Sequence, residues 1–184
     1  MTQQGRFPTK DALLHTRPER RPPIYVSAFH EGAALLAARL GDGLWTLADP
    51  ESAPKLIDVY RGACEDEGKP PGEIVLQAQL SWAADDDAAL EGARVWKGAV
   101  PDEFYVDDWH DPRAMAEHAA GRVSDDDLKQ QLIISSDPDE HVERIREIEQ
   151  LGATIVGLMN VSGADPHGAI RVYRERVLPR LRES

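Results

Sequence analysis

Four residues in a loop between an apolar run and a helical pattern could hold a negatively charged group. Ser27, Ala28, Phe29 and His30 follow the apolar run 24–26 and precede an Ala/Leu-rich segment that ends at Leu40. The first amides of a helix have no intrahelical partners, and the helix dipole favours an anion there. The order therefore predicts a phosphate-binding loop. His30 could donate to that phosphate or simply cap the helix, and both roles stay open.

An acidic stretch offers a second possible chemistry. Asp107, Asp108, His110 and Asp111 stand close together in the sequence, with His118 nearby. Carboxylates and imidazoles are metal ligands, so a metal-dependent hydrolase is one alternative. The stretch has no HExxH motif or paired-histidine spacing, and such a loop in an acidic protein is usually a solvated surface. We therefore assign no metal ligand.

Parallel strands joined by helices are the elements that would position these groups. Four strand-length apolar segments, residues 24–28, 43–47, 74–81 and 154–160, are each followed by a helical pattern. Helical crossovers of this length require parallel pairing, so the strands should neighbour one another in sequence order. An apolar stripe along the segment 53–64 includes Cys64, which predicts a small buried hydrophobe rather than a nucleophile.

Four Asp-Pro pairs predict helix starts. The aspartates are Asp49, Asp111, Asp137 and Asp165. An aspartate at the N-cap accepts from free amides, and a proline at the next position loses no hydrogen bond. Asp137 with Glu140 also has the spacing of a capping box.

A long segment, about 99–135, separates the last two principal strands. It far exceeds the usual length of a strand-to-helix connection, so we interpret it as an insertion over the carboxyl ends of the strands, where ligands bind in α/β folds. A solvent-exposed decoration is the alternative. The short extended piece 132–135 at its end is predicted to lie outside the principal strands. Residues 1–21 have the character of a connector.

The composition of the chain limits the classes of partner that it can bind. The chain has 184 residues, 41% hydrophobic residues, one cysteine and a formal net charge of −12. This length supports one domain with a sizeable core, and the charge makes nucleic acid and anionic membranes poor partners. No apolar run approaches a membrane span and the polar start lacks a signal-peptide core, so we expect a cytoplasmic location.

Four segments together resemble the luciferase-like monooxygenase family of flavin- and deazaflavin-dependent oxidoreductases. They are the strand 24–28, the segment Gly41-Asp42-Gly43-Leu44-Trp45-Thr46, the segment Ile134-Ser135-Ser136-Asp137-Pro138-Asp139-Glu140, and the closing segment 177–181. The nearest branch resembles the deazaflavin-dependent glucose-6-phosphate dehydrogenases and their FMN-using relatives. The resemblance covers about residue 7 to the end.

The resemblance implies an α/β fold that is a parallel (β/α) half-barrel. The family barrel has eight strands and roughly twice this length, so residues 22–184 correspond to strands 5–8 of a TIM barrel, with the insertion before the last strand. Much of the family's catalytic contact set, including an acid/base histidine, lies on the half that is not represented. The catalytic residues are therefore unknown from this sequence.

The resemblance also assigns binding roles. It places the phosphate of FMN or coenzyme F420 at the loop 27–30, and Thr46 at the end of the next strand beside the cofactor or substrate. In the sugar-phosphate branch, cations hold the substrate phosphate at positions where this chain has 48–50, 103–105 and 130–131, which contain no Lys or Arg. Glucose 6-phosphate is thus an unfavourable substrate. We assign the substrate pocket to five aromatic residues that suit a neutral or apolar molecule: Trp45, Trp82, Phe104, Tyr105 and Trp109.

Two other functions remain open beside an oxidoreductase. One is a non-catalytic cofactor-binding or structural half-barrel, and the other is the metal-dependent hydrolase. Four strands cut from a closed barrel would expose two edges, so we expect either a homo-oligomer or a partner that supplies the N-terminal half.

Overall fold

The computed structural model describes residues 2, 4–13, 15–101 and 103–183, without the side chains of Tyr105 and Val106. The strands are β1 (Tyr25–Ser27), β2 (Gly43–Leu47), β3 (Glu73–Ser81), β4 (Ile133–Ile134) and β5 (Ile155–Asn160). The helices are α1 (Glu31–Leu40), α2 (Ala53–Asp66), α3 (Asp86–Arg94), α4 (Glu103–Val106), α5 (Pro112–Ala120), α6 (Asp125–Gln131), α7 (Pro138–Gln150), α8 (Pro166–Val172) and α9 (Leu178–Arg182). A 3-10 turn, Lys97–Ala99, precedes α4, and a π-helical turn, Tyr173–Val177, joins α8 to α9.

The sheet confirms the predicted parallel order of the principal strands. β1 pairs with β2, β2 with β3, and β3 with β5, all in parallel. The prediction that residues 132–135 lie apart from these strands is wrong, because β4 pairs in parallel with Leu80 and Ser81 at the carboxyl end of β3. The insertion thus leaves the sheet after β3 and returns to the same strand.

The two faces of the sheet are unlike. On one face, Leu44 and Leu76 belong to a core formed with α1, α2 and α7. Side chains alternate along a strand, so Trp45 and Gln77 lie on the opposite face, where the indole nitrogen donates to Gln77 Oε1 at 3.1 Å. Trp45 remains 37% exposed. This open face is the one that would line the interior of a closed barrel.

Helix α2 confirms the stripe that its sequence predicts. Leu56, Ile57, Tyr60 and Cys64 are all buried against the sheet. The Tyr60 hydroxyl accepts the N–H of Gly72 at 2.9 Å, which ties the helix to the turn before β3.

Three of the four Asp-Pro pairs cap helices as predicted. The side chains of Asp111, Asp137 and Asp165 accept backbone amides at the starts of α5, α7 and α8. Asp49 differs, because it accepts the amides of Glu51 and Ser52 and α2 begins only at Ala53.

The capping box is formed elsewhere than predicted. Asp137 accepts from Asp139 at the first turn of α7, whereas the reciprocal pair of bonds is formed by Ser124 and Asp127 at the start of α6. Aspartate at the third helical position can thus replace the usual glutamate.

The insertion has a small core of its own. Leu90 of α3, Ala119 of α5 and Leu128 of α6 form one cluster with Val161, which follows β5. Because Val161 and Leu90 flank the sheet, the cluster holds the insertion at the carboxyl ends of β3 and β5. None of the helices in the described part of the chain has the length and apolar character needed to cross a bilayer.

Candidate functional site

A groove of about 510 Å³ opens at the carboxyl ends of β1 and β2. The loop after β1, the start of α1, the turn before α2 and the insertion form its walls. The lining residues are Phe29, His30, Glu31, Thr46, Leu47, Asp49, Glu51, Ser52, Lys55, Leu56, Ala99, Val100 and Gln131. The insertion therefore contributes to this wall, and three of the predicted binding residues, Phe29, His30 and Thr46, meet here.

His30 caps α1, which is one of its two predicted roles. Its Nδ1 accepts the N–H of Ala33 at 3.3 Å, and its carbonyl accepts Ala33 and Ala34. A neutral ring whose Nδ1 accepts carries its proton on Nε2, so that nitrogen is the one available as a donor. The amides of Glu31 and Gly32 belong to the first turn, where an α-helix offers no carbonyl partner.

The other two residues of the predicted phosphate loop are placed differently. The N–H of Ala28 donates to the carbonyl of Trp45 at 2.9 Å, and Ala28 is fully buried. Its amide therefore takes part in the hydrogen bonding of the sheet and is not free to bind a phosphate. Ser27 is exposed at the end of β1, opposite Trp45 on the open face.

Thr46 lies on the helix-facing side of β2, in register with Leu76. It is 2% exposed and still lines the groove, because the strand ends one residue later. The side chain that projects over the open face is that of its neighbour Trp45. Thr46 therefore lines the groove, whereas the side chain of Trp45 lies over the open face of the sheet.

The predicted aromatic pocket is dispersed. Trp82 is anchored, since its indole nitrogen donates to the Ser136 carbonyl at 2.9 Å. Phe104 and Trp109 stack within the insertion, with ring centroids 4.9 Å apart in an edge arrangement. Tyr105 belongs to α4, but its side chain lies outside the described part. Of the described aromatic side chains, Phe29 is the one that lines the groove.

Beside these rings, Glu103 and His118 form a polar pair that was not predicted from the sequence. The His118 ring packs against both Phe104 and Trp109, at centroid distances of 5.5 and 4.8 Å, and its Nε2 is 2.8 Å from Glu103 Oε1. The hydrogen bond from His118 lowers the pKa of Glu103. Glu103 and His118 are fifteen residues apart, so only the fold of the insertion brings them together.

A buried histidine was also missed. His141 of α7 is fully buried, with Nδ1 2.8 Å from the Tyr173 hydroxyl and Nε2 2.9 Å from the Ser135 carbonyl. A carbonyl only accepts, so Nε2 carries the proton and Nδ1 accepts from Tyr173. Burial lowers the pKa of His141 and raises that of Tyr173, so both groups stay neutral. The sequence does indicate that His141 is buried, because it continues the apolar stripe of Ile145 and Ile148 at helical spacing.

The acidic stretch is open to solvent in the structure. His110 Nε2 is 2.9 Å from Asp108 Oδ1, and both side chains are at least 80% exposed. Across residues 2, 4–13, 15–101 and 103–183, no three His, Cys, Asp or Glu residues converge in a way that could hold a metal ion.

Comparison with known proteins identifies the family. The family model for luciferase-like monooxygenase matches residues 1–154. The F420-dependent glucose-6-phosphate dehydrogenase of Microbacterium testaceum is 32% identical over 182 residues, which are 96% of this chain and 54% of that protein. The F420-dependent hydroxymycolic acid dehydrogenase of Mycobacterium tuberculosis is 29% identical, over 96% of this chain and 47% of that protein.

Solved structures agree with the sequence comparisons. An F420-dependent secondary alcohol dehydrogenase, in complex with an F420-acetone adduct, matches with a TM-score of 0.84 and 27% identity over 98% of this chain and 56% of its own. The F420-dependent tetrahydromethanopterin reductase of Methanopyrus kandleri shares the fold, with a TM-score of 0.68 and 19% identity over 86% of this chain and 51% of its own. This chain spans about half the length of these relatives, as expected for a half-barrel. It belongs to the luciferase-like monooxygenase family.

Proposed function

We propose that this chain is the C-terminal half of an oxidoreductase that binds coenzyme F420 or FMN and acts on a small organic substrate. The observation that carries the proposal is the groove where the first turn of α1 opens at the carboxyl end of a parallel sheet. Ligands bind at this end in parallel α/β folds. The F420-dependent relatives named above support the same class of reaction.

The residues present fit the phosphate end of such a cofactor. His30 Nε2 and the first-turn amides of Glu31 and Gly32 are donors at the positive end of the α1 dipole. Lys55 adds a cation to the opposite wall. Ala28 contributes shape rather than a donor, since its amide is bonded to Trp45.

Bound F420 or FMN supplies the hydride or electron transfer. Within this chain, the start of α1 would bind and orient the phosphate, and Ser27 and Trp45 would face the space beyond it. Residues 99–100 of the insertion would narrow the groove and limit entry of water. No acid or base of the reaction is assigned to this chain.

Replacing His30 by Glu should weaken FMN binding about tenfold or more. A carboxylate in place of a donor repels the phosphate, and one such interaction is worth on the order of 1.4 kcal/mol. Quenching of FMN fluorescence by the purified chain measures the affinity, and a parallel titration with F420 compares the two cofactors.

His167→Glu is the matched control, because His167 is exposed in α8 and does not line the groove. It should leave the affinity for FMN unchanged. Equal affinities of the wild type and the His30 variant would exclude His30 from the phosphate site. Failure of both cofactors to bind the wild-type chain would contradict the proposed function and favour a structural half-barrel.

We also infer that the open sides of the half-barrel pair with a second copy or with an N-terminal half. Apolar side chains are exposed at both sides: Ile24, Leu36 and Leu40 beside β1 are 53%, 50% and 73% exposed, and Ile155 and Ile170 beside β5 are 40% and 58% exposed. Burying such surface on association is favourable by about 25 cal/mol per Å². The net charge of −12 opposes close pairing of identical chains.

The wild-type chain should therefore form dimers or larger species at micromolar concentration. Leu36→Lys should weaken this association by about tenfold, since it places a charge in the apolar contact. Sedimentation velocity measures the distribution. Val95→Lys serves as the control, because Val95 is 83% exposed at the end of α3, away from both open sides. A wild-type chain that sediments as a stable monomer over this range would refute the inference.

A further inference from the structure

We propose that a second copy of this chain closes the half-barrel, so that the groove is completed only in the dimer. A two-fold axis along the barrel would place β5 of each copy beside β1 of the other and keep all principal strands parallel. The open sides, the inner face of the sheet and the distribution of charge each support this partner. The completion of the groove rests on the proposed function, whereas the pairing of the copies does not.

The two open sides present apolar surfaces of the same kind. Beside β1, Leu36 and Leu40 lie one turn apart on α1, and both are exposed. Beside β5, Ile170 of α8 and Leu178 of α9 are exposed as well. In a (β/α) barrel the helices form a closed outer ring, in which each helix has a neighbour on both sides. Contact between α1 of one copy and α8 of the other would bury these side chains.

The inner face of the sheet alternates large and small residues. Trp45 of β2 extends across β3 toward β5, because a Cβ atom added at Gly157 would lie 3.6 Å from the indole ring. Each interior layer of a TIM barrel takes its side chains from alternate strands, and β2 and β5 are alternate strands. The closed dimer would therefore place Trp45 and Gly157 of each copy in one layer. Large and small residues that alternate in this way fill a layer without voids.

Most of the negative charge lies away from the open sides. Residues 85–129 carry thirteen Asp or Glu and five Lys or Arg, which amounts to eight of the twelve net negative charges. Most of this segment is the insertion at the carboxyl ends of the strands, and the two-fold axis would put the two insertions on opposite sides of the barrel mouth. Along the open sides, Asp42 is paired with Arg21 and Glu175 with Arg174. Salt screens the more distant charges beyond about 8–10 Å.

The dimer would also complete the groove. β1 stands at one end of the strand order, so in a single copy the groove at its carboxyl end is bounded by a neighbouring strand on the β2 side alone. Active sites of closed (β/α) barrels are built from the loops that follow several strands around the mouth. The segment after β5 of the second copy would form the missing wall beyond β1, near Phe29 and His30. Each groove would thus be shared between the two copies.

Two charge variants on opposite sides test the pairing. Leu36→Lys changes the β1 side and Ile170→Glu the β5 side, and both side chains are exposed, so the fold should be kept, which circular dichroism checks. Either variant alone puts a charge into both contacts of the closed dimer and should dimerise at least about tenfold more weakly than the wild type. An equimolar mixture should recover the association, because one contact is then unchanged and the other joins opposite charges. Sedimentation velocity at micromolar concentration measures each sample.

A mixture of Leu36→Lys with Leu36→Glu is the matched control. It contains the same two charges, but both lie on the β1 side, and the closed dimer never brings two β1 sides together. This mixture should stay as dissociated as the single variants. Recovery in the control mixture, no recovery in the first mixture, or a monomeric wild type would each overturn the inference.

Titration of FMN into the same samples, followed by fluorescence quenching, tests the shared groove. Leu36 is not among the residues that line the groove, so Leu36→Lys should weaken FMN binding at least about tenfold only through loss of the second copy. The first mixture should restore this affinity. Equal FMN affinities of the wild type and Leu36→Lys would contradict the shared groove. Dimers that bind neither FMN nor F420 would support the pairing and contradict the proposed function.

Discussion

Replacing His141 by Ala is expected to lower the free energy of unfolding by about 3–5 kcal/mol, because it opens a cavity and leaves two buried polar groups without a hydrogen-bond partner. The imidazole bridges the Ser135 carbonyl and the Tyr173 hydroxyl, and thus joins three parts of the chain: the segment after β4, helix α7 and the π-helical turn. Urea denaturation followed by circular dichroism at pH 7.5 measures the loss.

Two further variants make the result specific. His141→Gln retains a donor and an acceptor and should recover part of the loss. His167→Ala removes an exposed imidazole and should change the free energy of unfolding by less than about 0.5 kcal/mol. A loss below about 1 kcal/mol for His141→Ala would show that the buried bridge does not stabilise the fold.

The same histidine gives stability a definite dependence on pH. Burial lowers the pKa of His141 in the folded state, so below the ordinary value of about 6.5 the unfolded chain binds more protons. Stability should therefore fall as the pH drops from 7.5 to 5.5. The fall should be smaller in His141→Gln, and an equal fall in both proteins would assign the effect to other groups.

Gly72→Ala is expected to cost about 3 kcal/mol or more, because the added methyl group would overlap the carbonyl oxygen of Asp42. That carbonyl cannot easily move. The amide and the carboxylate of Asp42 are both hydrogen-bonded to the backbone of Ile24, each at 2.7 Å. The amide of Gly72 is itself bonded to Tyr60.

Gly62→Ala provides the matched control within α2. Beyond the backbone of its own helix and its chain neighbours, no atom lies within 4 Å of the position that its methyl group would take. Alanine is the better helix former by up to about 1 kcal/mol, so this variant should be stabilised. Both substitutions add one methyl group. In urea denaturation, Gly72→Ala should lower the free energy of unfolding and Gly62→Ala should raise it. A loss below about 1 kcal/mol for Gly72→Ala would show that the turn can relax.

Periodicity and capping chemistry were enough to predict the principal strands and three helix starts, since both depend on neighbours in the chain. Asp111, Asp137 and Asp165 behave as their local sequence dictates. Asp49 does not, because its carboxylate can equally satisfy the amides of a turn that leads into the helix.

The candidate site was predicted less completely, because it depends on contacts between distant segments. The pairing of β4 with Leu80 joins positions 53 residues apart, and local pattern contains no information on it. The amide of Ala28 is taken by the neighbouring strand, which a loop sequence cannot reveal. Gln131 enters the groove wall only because the insertion folds back over the strands.

The pairing of β5 with β3 has a consequence for the chain during its synthesis. The amide of Ile74 bonds to Thr154, eighty residues later, so β3 leaves the ribosome long before β5. At about 5–20 residues per second, the interval is roughly 4–16 s. Throughout that time the apolar strand β3 lacks its partner on this side, and an unpaired edge of this kind is a template for pairing with other chains. The nascent chain is thus most vulnerable to aggregation while the insertion is being translated.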